Sequence, residues 1–499
     1  MARICVVGAG AGGLAAAARL GAKGHAVTVL ERSDRVGGKL HTWSDQGFSF
    51  DVGPSLFTLP AVYLDLFLKT GRPLEHEVDL QEVEPGFRYG FTDRVLRLPG
   101  SSVGRTATAV TDQLSADEGD AWRTLMRRAG EVWALTREDV LGSEVSTRQL
   151  AGMARSPQRL RTVAPWRSLH RTGRKYLPGN HLPRILDRYA TYSGSQPRKA
   201  PGALITIPFV EQTFGLWHIG GGLGQLAAAL HRRVEQVGCT IRTNAEVQAI
   251  EHNDAGVTGV RLADGELIGA DIVVSDSDAR GLPQLLGAKP PRTRDHSYSG
   301  FALLLALDGV SEDLHHHNVW FPDNYDGEFT DLAAGRLPKD PALYVCRPPD
   351  PTMAPAGCEA WFLLVNAPRH GDGSRDTFDY SDPATVEQYA DHLLQLLAER
   401  GCDVRDRIRW RKVQTPLDLA GTDGSGDGAI YGTASHGAMS VLHRPSNTGT
   451  IPGLYLVGGT AHPGGGLPLV GIGAEIVADK IGRGDERPQA EPTERGCAS

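Results

Sequence analysis

The opening segment Arg3-Ile-Cys-Val-Val-Gly8-Ala-Gly10-Ala-Gly12-Gly13 constrains this chain more than any other stretch. Arg3–Val7 reads as a buried parallel strand, and the alanine-rich residues 13–23 read as a helix. Val27-Thr28-Val29-Leu30 reads as a second strand that ends in Glu31. Between strand and helix, Gly8-x-Gly10-x-x-Gly13 has the spacing of a dinucleotide fingerprint, with Gly12 in the same turn. Gly8 permits the tight turn, Gly10 lets the backbone approach a pyrophosphate, and Gly13 lets helix and strand pack closely. The helix start then offers unpaired N–H groups and the positive end of its dipole to phosphate. Glu31, eighteen residues beyond Gly13, is placed to accept hydrogen bonds from ribose hydroxyls. Strand, turn, helix and acid stand in register, which a chance glycine-rich turn does not provide.

NAD and FAD share that fingerprint, so the residues after Glu31 decide between them. Arg32-Ser-Asp-Arg-Val-Gly37-Gly38-Lys39 resembles the extended dinucleotide motif of FAD proteins in the glutathione-reductase and amine-oxidase superfamilies. There a Gly-Gly turn passes close to the cofactor phosphates and ribityl chain. Gly47-Phe-Ser-Phe-Asp-Val-Gly53-Pro54-Ser55 looks like the segment that runs under the isoalloxazine in those oxidases. Near the other end, Gly458-Gly459-Thr460-Ala461-His462-Pro463-Gly464-Gly465-Gly466-Leu467-Pro468 is similar to the flavin-closing signature of the bacterial-type phytoene desaturase family. In that family of carotenoid enzymes, a His-Pro-Gly stretch replaces the Gly-Asp of many flavoproteins. His315-His316-His317-Asn318, residues 340–345 and Gly220–Leu223 fall where the family has similar runs, so the resemblance spans nearly the whole chain. Thr460-Ala461 stands where a Gly-Thr pair is commoner, and Leu469 where a second glycine often follows the proline. Motifs and resemblance together imply FAD as cofactor. Its predicted contacts are Gly8, Gly10, Gly12, Gly13, Glu31, Arg32, Gly37, Gly38, Lys39, Gly53, Pro54, Ser55, Val247, Gly458, Gly459, His462, Pro463, Leu469 and Val470.

The chain has 499 residues, enough for two intertwined domains, and its 61 glycines and 31 prolines suit an α/β protein rather than a helical bundle. Residues 60–200 are mostly helical in pattern, for example Asp117–Trp133. A helix at Leu223–Val237 is followed by strands around residues 240–242, 247–251, 257–262 and 271–275. Further strands are expected at 300–307, 360–365 and 454–457, with helices at 383–399 and 470–481. The expected fold class is α/β. A Rossmann-like FAD-binding domain is assembled from residues 1–75, 203–288 and 425–482, with an inserted mixed α+β substrate domain from residues 76–202 and 289–424. The polar residues 483–499 read as a disordered tail.

A net charge of 52 − 59 = −7 argues against a nucleic-acid partner. Six scattered cysteines without a CxxC pair point to a reducing, cytoplasmic setting with neither zinc site nor disulfide framework. The chain opens directly on a strand, and its apolar runs stop well short of the roughly 20 residues that span a bilayer. Three consecutive histidines invite a metal reading. Neighbours on a strand point to opposite faces, so at most two could share an ion, and no cysteine or carboxylate at ligand spacing joins them. A structural or loop role is expected, and no metal. Gly220–Gly224 lacks an acidic partner and reads as a turn before a helix. With no second nucleotide fingerprint, electrons are expected to leave to an external acceptor, oxygen or a quinone.

Residues 147–186 carry nine basic residues and no acidic one before Asp187: Arg148, Arg155, Arg159, Arg161, Arg167, Arg171, Arg174, Lys175 and Arg184. Met153, Leu160, Val163, Trp166, Leu169, Tyr176 and Leu177 are interleaved. This pattern predicts peripheral docking on an anionic membrane surface, with Trp and Leu entering the headgroup layer. The family resemblance implies a long apolar isoprenoid substrate, a phytoene-like carotenoid precursor, held beside the flavin and desaturated by hydride transfer. No Asp, Glu or His is distinguished in the sequence as a base. Alternatives are isomerisation, saturation or ketolation of a related isoprenoid, amine oxidation in a wetter pocket, or a flavin-bearing assembly subunit without catalysis.

Overall fold

A computed structural model describes residues 1–145, 155–289, 295–423 and 426–484. Five short strands rich in Val, Ile and Leu form a parallel sheet: β1 (Arg3–Val7), β2 (Ala26–Leu30), β3 (Thr240–Arg242), β4 (Ile272–Ser275) and β5 (Leu454–Leu456). Their order is β3-β2-β1-β4-β5. Helix α1 (Ala11–Ala22) follows β1 and packs against α2 (Gly224–Gln236) and α3 (Leu467–Ile481). Ala15, Ala16, Ala17 and Ala18 are all fully buried, because side chains this small let the neighbouring helices come close. Three separated stretches of chain therefore build one Rossmann-like layer, the α/β architecture the sequence implies.

A second, seven-stranded mixed sheet runs in the order 408–414, 299–308, 358–367, 343–346, 317–320, 87–90, 95–98. Its central strands Ser299–Asp308 and Cys358–Ala367 pair antiparallel over ten residues. Alternation sorts their side chains onto two faces. Phe301, Leu303, Leu305, Trp361, Leu363 and Val365 pack under the helix Pro383–Glu399, whose Tyr389, Leu393 and Leu397 complete that core. Ala302, Leu304, Ala306, Ala360 and Phe362 face the other way, toward a core built on Trp122, Phe87, Tyr89 and Tyr325.

Within the span read as mostly helical, Phe87–Gly90 and Val95–Leu98 are instead a hairpin on the edge of this sheet. Phe87, Tyr89, Leu96 and Leu98 are buried at a two-residue period that the surrounding helical pattern masks. A second hairpin, Thr42–Asp45 with Phe48–Asp51, turns at Gln46-Gly47, both at positive φ (48° and 82°) as a tight two-residue hairpin requires. Only Arg483 and Gly484 of the expected tail fall within the described residues. Among those residues no helix is long and apolar enough to cross a membrane.

Trp361 has no solvent exposure, and its indole N–H donates to Glu359 Oε2 at 3.1 Å. Trp361→Ala should therefore cost about 3–5 kcal/mol, seen as a lower urea midpoint. Leu68→Ala, at a side chain 68% exposed, should change stability by less than about 0.5 kcal/mol.

Candidate active site

A cavity of about 1200 Å³ lies between the two sheets. It exceeds the roughly 300–1,000 Å³ that suits one drug-sized ligand, so it has room for a cofactor and a substrate together. One arm is walled by glycine turns, the other by apolar side chains including Trp133, Leu160, Ile207, Val210, Phe362 and Leu364.

The glycine arm forms around the first turn of α1. Gly8 has φ of +97°, and a Cβ on Gly10 would lie 2.5 Å from Asp276 Oδ2. One on Gly12 would lie 2.8 Å from the backbone N of Gly458. The Gly37-Gly38 turn docks onto the same loop. Gly37 N donates to Ala9 O at 2.8 Å, and a Cβ on Gly38 would lie 3.3 Å from Gly10 Cα. Side chains are thus excluded on three sides, and Ala11 and Gly12, in the first turn of α1, line the cavity. Their N–H groups have no intrahelical acceptor. Glu31 is held by the N–H of Ala9 (2.8 Å), the N–H of Ser33 (2.9 Å) and the Ser33 hydroxyl (2.8 Å), with its carboxylate on the cavity wall. A diphosphate and ribose fit this cradle, because it offers backbone donors, an acceptor carboxylate and no obstructing Cβ.

Asp276, just past β4, is the residue on which these turns converge. Its carboxyl accepts from the backbone N–H groups of Gly13 and Gly10. Burial pushes its pKa up to about 7. The negative charge of Glu31 adds to the rise, while the two N–H bonds and Lys39 oppose it. Nothing in Ser275-Asp276-Ser277-Asp278 marks it out as a sequence. Only the parallel pairing of β1 with β4 brings it under the glycine loop.

Of the predicted contacts, the cavity wall gathers Gly8, Gly10, Gly12, Glu31, Arg32, Gly37, Gly38, Lys39, Gly53, Pro54, Ser55, Val247, Gly458, Gly459, Pro463, Leu469 and Val470. Gly13 and His462 are not on it. Gly13 sits behind the loop against Gly8 O, the helix-packing place its position implies. His462 is buried, and its Nε2 pairs with Ser143 O at 2.9 Å while its own carbonyl accepts from Asn447 Nδ2 at 2.8 Å. It anchors the loop that carries Pro463 to the wall and leaves the wall to its neighbours. Arg444 was not singled out in the sequence. It lines the cavity and donates to the carbonyls of Tyr431 and Gly459 (both 3.1 Å), also on the wall, and of Thr433 (3.2 Å), and burial lowers its pKa to about 10.

At the junction with the apolar arm lies a polar lobe. Arg188 lies over the rings of Tyr192 (5.3 Å) and Tyr344 (4.9 Å), and its Nη1 donates to Tyr192 OH at 2.9 Å. Tyr344 OH donates to Ser55 Oγ at 3.0 Å. Glu211 accepts from Tyr189 OH at 2.6 Å, and burial pushes it up to about 7. Arg188, Glu211 and Tyr325 come from three different helices, Tyr325 more than 100 residues beyond the others, so no local motif could reveal them.

The histidine run is placed differently from its linear reading. His317 opens a strand, and register sets Cys346 directly opposite it. The ligand atoms of His316, His317 and Cys346 lie within 4.8 Å of one another, all buried. The cysteine that spacing could not supply arrives by cross-strand pairing. Burial lowers His317 to about 3 and raises the Cys346 thiol, so the imidazole stays neutral and the thiol protonated in this seam.

The basic segment borders the cavity. Arg159, Leu160, Val163 and Pro165 line it, and Arg159 is also exposed, so the cavity reaches the surface there. Trp166 is 62% exposed. Leu169 and Leu177, expected to enter a headgroup layer, are instead buried in the core, where Leu169 N pairs with Ala200 O at 2.9 Å. Arg148 and Met153 lie outside the described residues.

The model of the family described as flavin containing amine oxidoreductase matches residues 11–466. The chain is 31% identical to 4,4'-diapolycopene oxygenase of Methylomonas sp, covering 96% of this chain and 98% of that protein. It is 32% identical to hydroxyneurosporene desaturase of Rubrivivax gelatinosus, covering 96% and 93%. In fold it is similar to cyclohexylamine oxidase from Brevibacterium oxydans, with a TM-score of 0.58 at 14% identity over 96% of this chain and 99% of that one. A cradle shaped for a dinucleotide, with a family match over most of the length, places the chain in the flavin-containing amine oxidoreductase family as an FAD-dependent oxidoreductase.

Proposed function

We propose that this chain desaturates a carotenoid, with FAD taking the hydride and an external acceptor, oxygen or a quinone, removing the electrons. The observation that carries this reading is one continuous cavity. It joins the glycine cradle to an apolar arm lined by Trp133, Leu160, Ile207, Val210, Phe362 and Leu364. Its relatives by sequence include proteins named for carotenoid chemistry. On this reading residues 1–75, 203–288 and 425–482 form the cofactor side, and 76–202 and 289–424 the substrate side. Gly8, Gly10, Gly12, Glu31, Gly37, Gly38 and Lys39 hold the adenosine diphosphate portion. Gly53–Ser55, Gly458, Gly459, Pro463, Leu469 and Val470 border the ring.

Bound FAD supplies the hydride acceptor for a CH₂ beside a polyene. The chain's residues would position the polyene and keep water from adding to the carbocation until the adjacent carbon releases a proton, through solvent or a nearby base, and the C=C bond closes. Arg444 adds fixed positive charge beside Gly464 and Gly459. A second reading, oxygenation of a carotenoid, is favoured by the similarity to 4,4'-diapolycopene oxygenase. The test is expression in cells that make phytoene or its C30 counterpart. A red-shifted pigment is expected, together with anaerobic bleaching of the purified flavoprotein by the same polyene. An unshifted spectrum and a flavin that stays oxidised would sink the desaturase reading.

Asp276 gives FAD retention a pH dependence. Its pKa is raised in the folded protein, so the folded state holds this proton up to about pH 7, beyond the range in which an unfolded Asp has lost it. The stability from that retained proton is full below the ordinary Asp range and is lost as pH rises through about 7. Above that, a buried negative charge near Glu31 adjoins the cradle, opposed by Lys39. The dissociation constant for FAD should rise several-fold from pH 6 to pH 8, read by fluorescence of released flavin. Asp276→Asn should flatten that rise, and an unchanged slope would remove Asp276 as its cause.

Membrane docking follows from the cavity mouth. A polyene moving from lipid to an apolar tunnel exchanges one hydrocarbon setting for another, with little net hydrophobic drive. The opening must then face the bilayer. Arg155, Arg159, Arg161, Arg171, Arg174 and Lys175 are exposed on this segment, with Trp166 among them. At about 1 kcal/mol for each basic residue near an anionic surface, reversing Arg159, Arg161 and Arg167 to Glu should weaken flotation with phosphatidylglycerol vesicles by more than about tenfold. Unchanged flotation would refute the docking.

A further inference from the structure

The buried seam behind Tyr344 holds more metal-ligating chemistry than its packing explains. His316, His317 and Cys346 each bring a ligand atom to within 4.8 Å of the others, and all three side chains are buried. Strand register sets His317 directly opposite Cys346. The ring of His316 lies 4.4 Å from that of His317, centroid to centroid. A third imidazole, His218, stands edge-on to His316 with ring centroids 5.1 Å apart. Its Nε2 pairs with Asp350 Oδ2 at 2.9 Å, the carboxylate–histidine arrangement that orients metal ligands. His317 is accounted for as a core residue by Tyr344 OH, 2.9 Å from its Nδ1, and by stacking on Phe87. His316 is not. Its imidazole is buried with no hydrogen-bond partner among the described residues, and buried polar side chains normally have one.

We propose that His316, His317 and Cys346 bind one zinc-type divalent cation, with His218 taking the fourth position. Zinc holds nitrogen at about 2.0–2.1 Å and sulfur at about 2.3 Å in a tetrahedron, which puts neighbouring ligand atoms roughly 3.3–3.6 Å apart. A contraction on the order of 1 Å closes the cluster on such an ion, a movement side-chain torsions can supply while the strands stay paired. Imidazole and thiolate donors suit a borderline-soft cation and not magnesium or calcium, which take oxygen ligands. Binding involves no change of oxidation state. The Cys346 S–H bond breaks, its electron pair goes to the metal and the proton leaves to solvent, while each imidazole gives a lone pair. Four protein ligands close the shell, so the site is structural. His218 belongs to the strand Leu216–Ile219, which pairs with Phe57–Thr58, whereas His317 and Cys346 belong to the seven-stranded sheet. The ion therefore cross-links two sheets beside Ser55, whose Oγ accepts from Tyr344 OH at 3.0 Å. This site does not depend on the carotenoid reading.

The test uses the FAD-loaded full chain, saturated with zinc and freed of loose metal by gel filtration. Mass spectrometry of the metal should find about one zinc for each chain. X-ray absorption at the zinc edge should show one sulfur neighbour among nitrogens. Cys346→Ser, close to isosteric, should remove the sulfur scattering and weaken zinc at least about tenfold against a competing chelator, with the flavin absorbance unchanged. His316→Gln and His218→Gln should each weaken zinc by at least about the same factor. His316→Gln is the sharper variant, because that imidazole has no hydrogen bond to lose among the described residues and its loss should leave melting of the metal-free protein unchanged. Wild-type protein that retains no zinc would overturn the site. So would sulfur scattering that persists in Cys346→Ser, or an affinity unmoved in any of the three variants.

Discussion

Two glycine turns meet around one buried carboxyl and a third docks onto them, and the placement of the cavity follows from that meeting. Asp276 accepts from Gly10 and Gly13 at the start of α1, while Gly37-Gly38 and Gly458 close in from either side. Residues from near positions 10, 37, 276 and 458 can come this close only if β1, β4 and β5 are adjacent and parallel, which is the observed order. The cradle and the sheet are thus one constraint. An isolated ionised carboxyl buried beside a phosphate site would be costly. Its raised pKa, which keeps it protonated, and its two backbone donors are how that cost is reduced.

The second sheet solves a different problem with simpler means. The alternation of Ser299–Asp308 and Cys358–Ala367 buries large side chains under the helix Pro383–Glu399 and turns Ala302, Ala360, Phe362 and Leu364 toward the cavity side. Small residues on that face leave volume for a ligand, while Trp361 and Phe301 on the other face anchor the strands. The cavity floor is rigid because it is the back of a packed core.

How much of this was legible in the sequence depends on how local each signal is. The β1-turn-α1 unit and the Gly37-Gly38 turn are contiguous, and their residues meet as their spacing implies. The helices at 224–236 and 383–399 also lie where periodicity puts them. Asp276 was illegible because its partners Gly10 and Gly13 come from the start of the chain, and Arg444 and the Glu211–Tyr325–Arg188 lobe because loops and helices bring their partners together without any spacing motif. Cys346 opposite His317 is a matter of strand register, which no count of intervening residues reveals. Leu169 and Leu177 look like membrane-facing residues in a basic segment. They are buried because their helices pack inward, leaving Trp166 and the arginines outside.

The two arms of the cavity impose opposite demands, and the junction between them is where specificity can reside. The glycine arm is selective by backbone shape and discriminates strongly. The apolar arm is lined by groups for which an extra methylene changes affinity by only about 1–3 kcal/mol, so it measures length loosely. Unpartnered polar groups at the junction each carry a desolvation cost of about 1–3 kcal/mol. A wall of Leu and Phe would hold a hydrocarbon there without that cost. Glu211 and Tyr325 keep that cost in the wall, so the junction distinguishes ligands by what they offer these two groups.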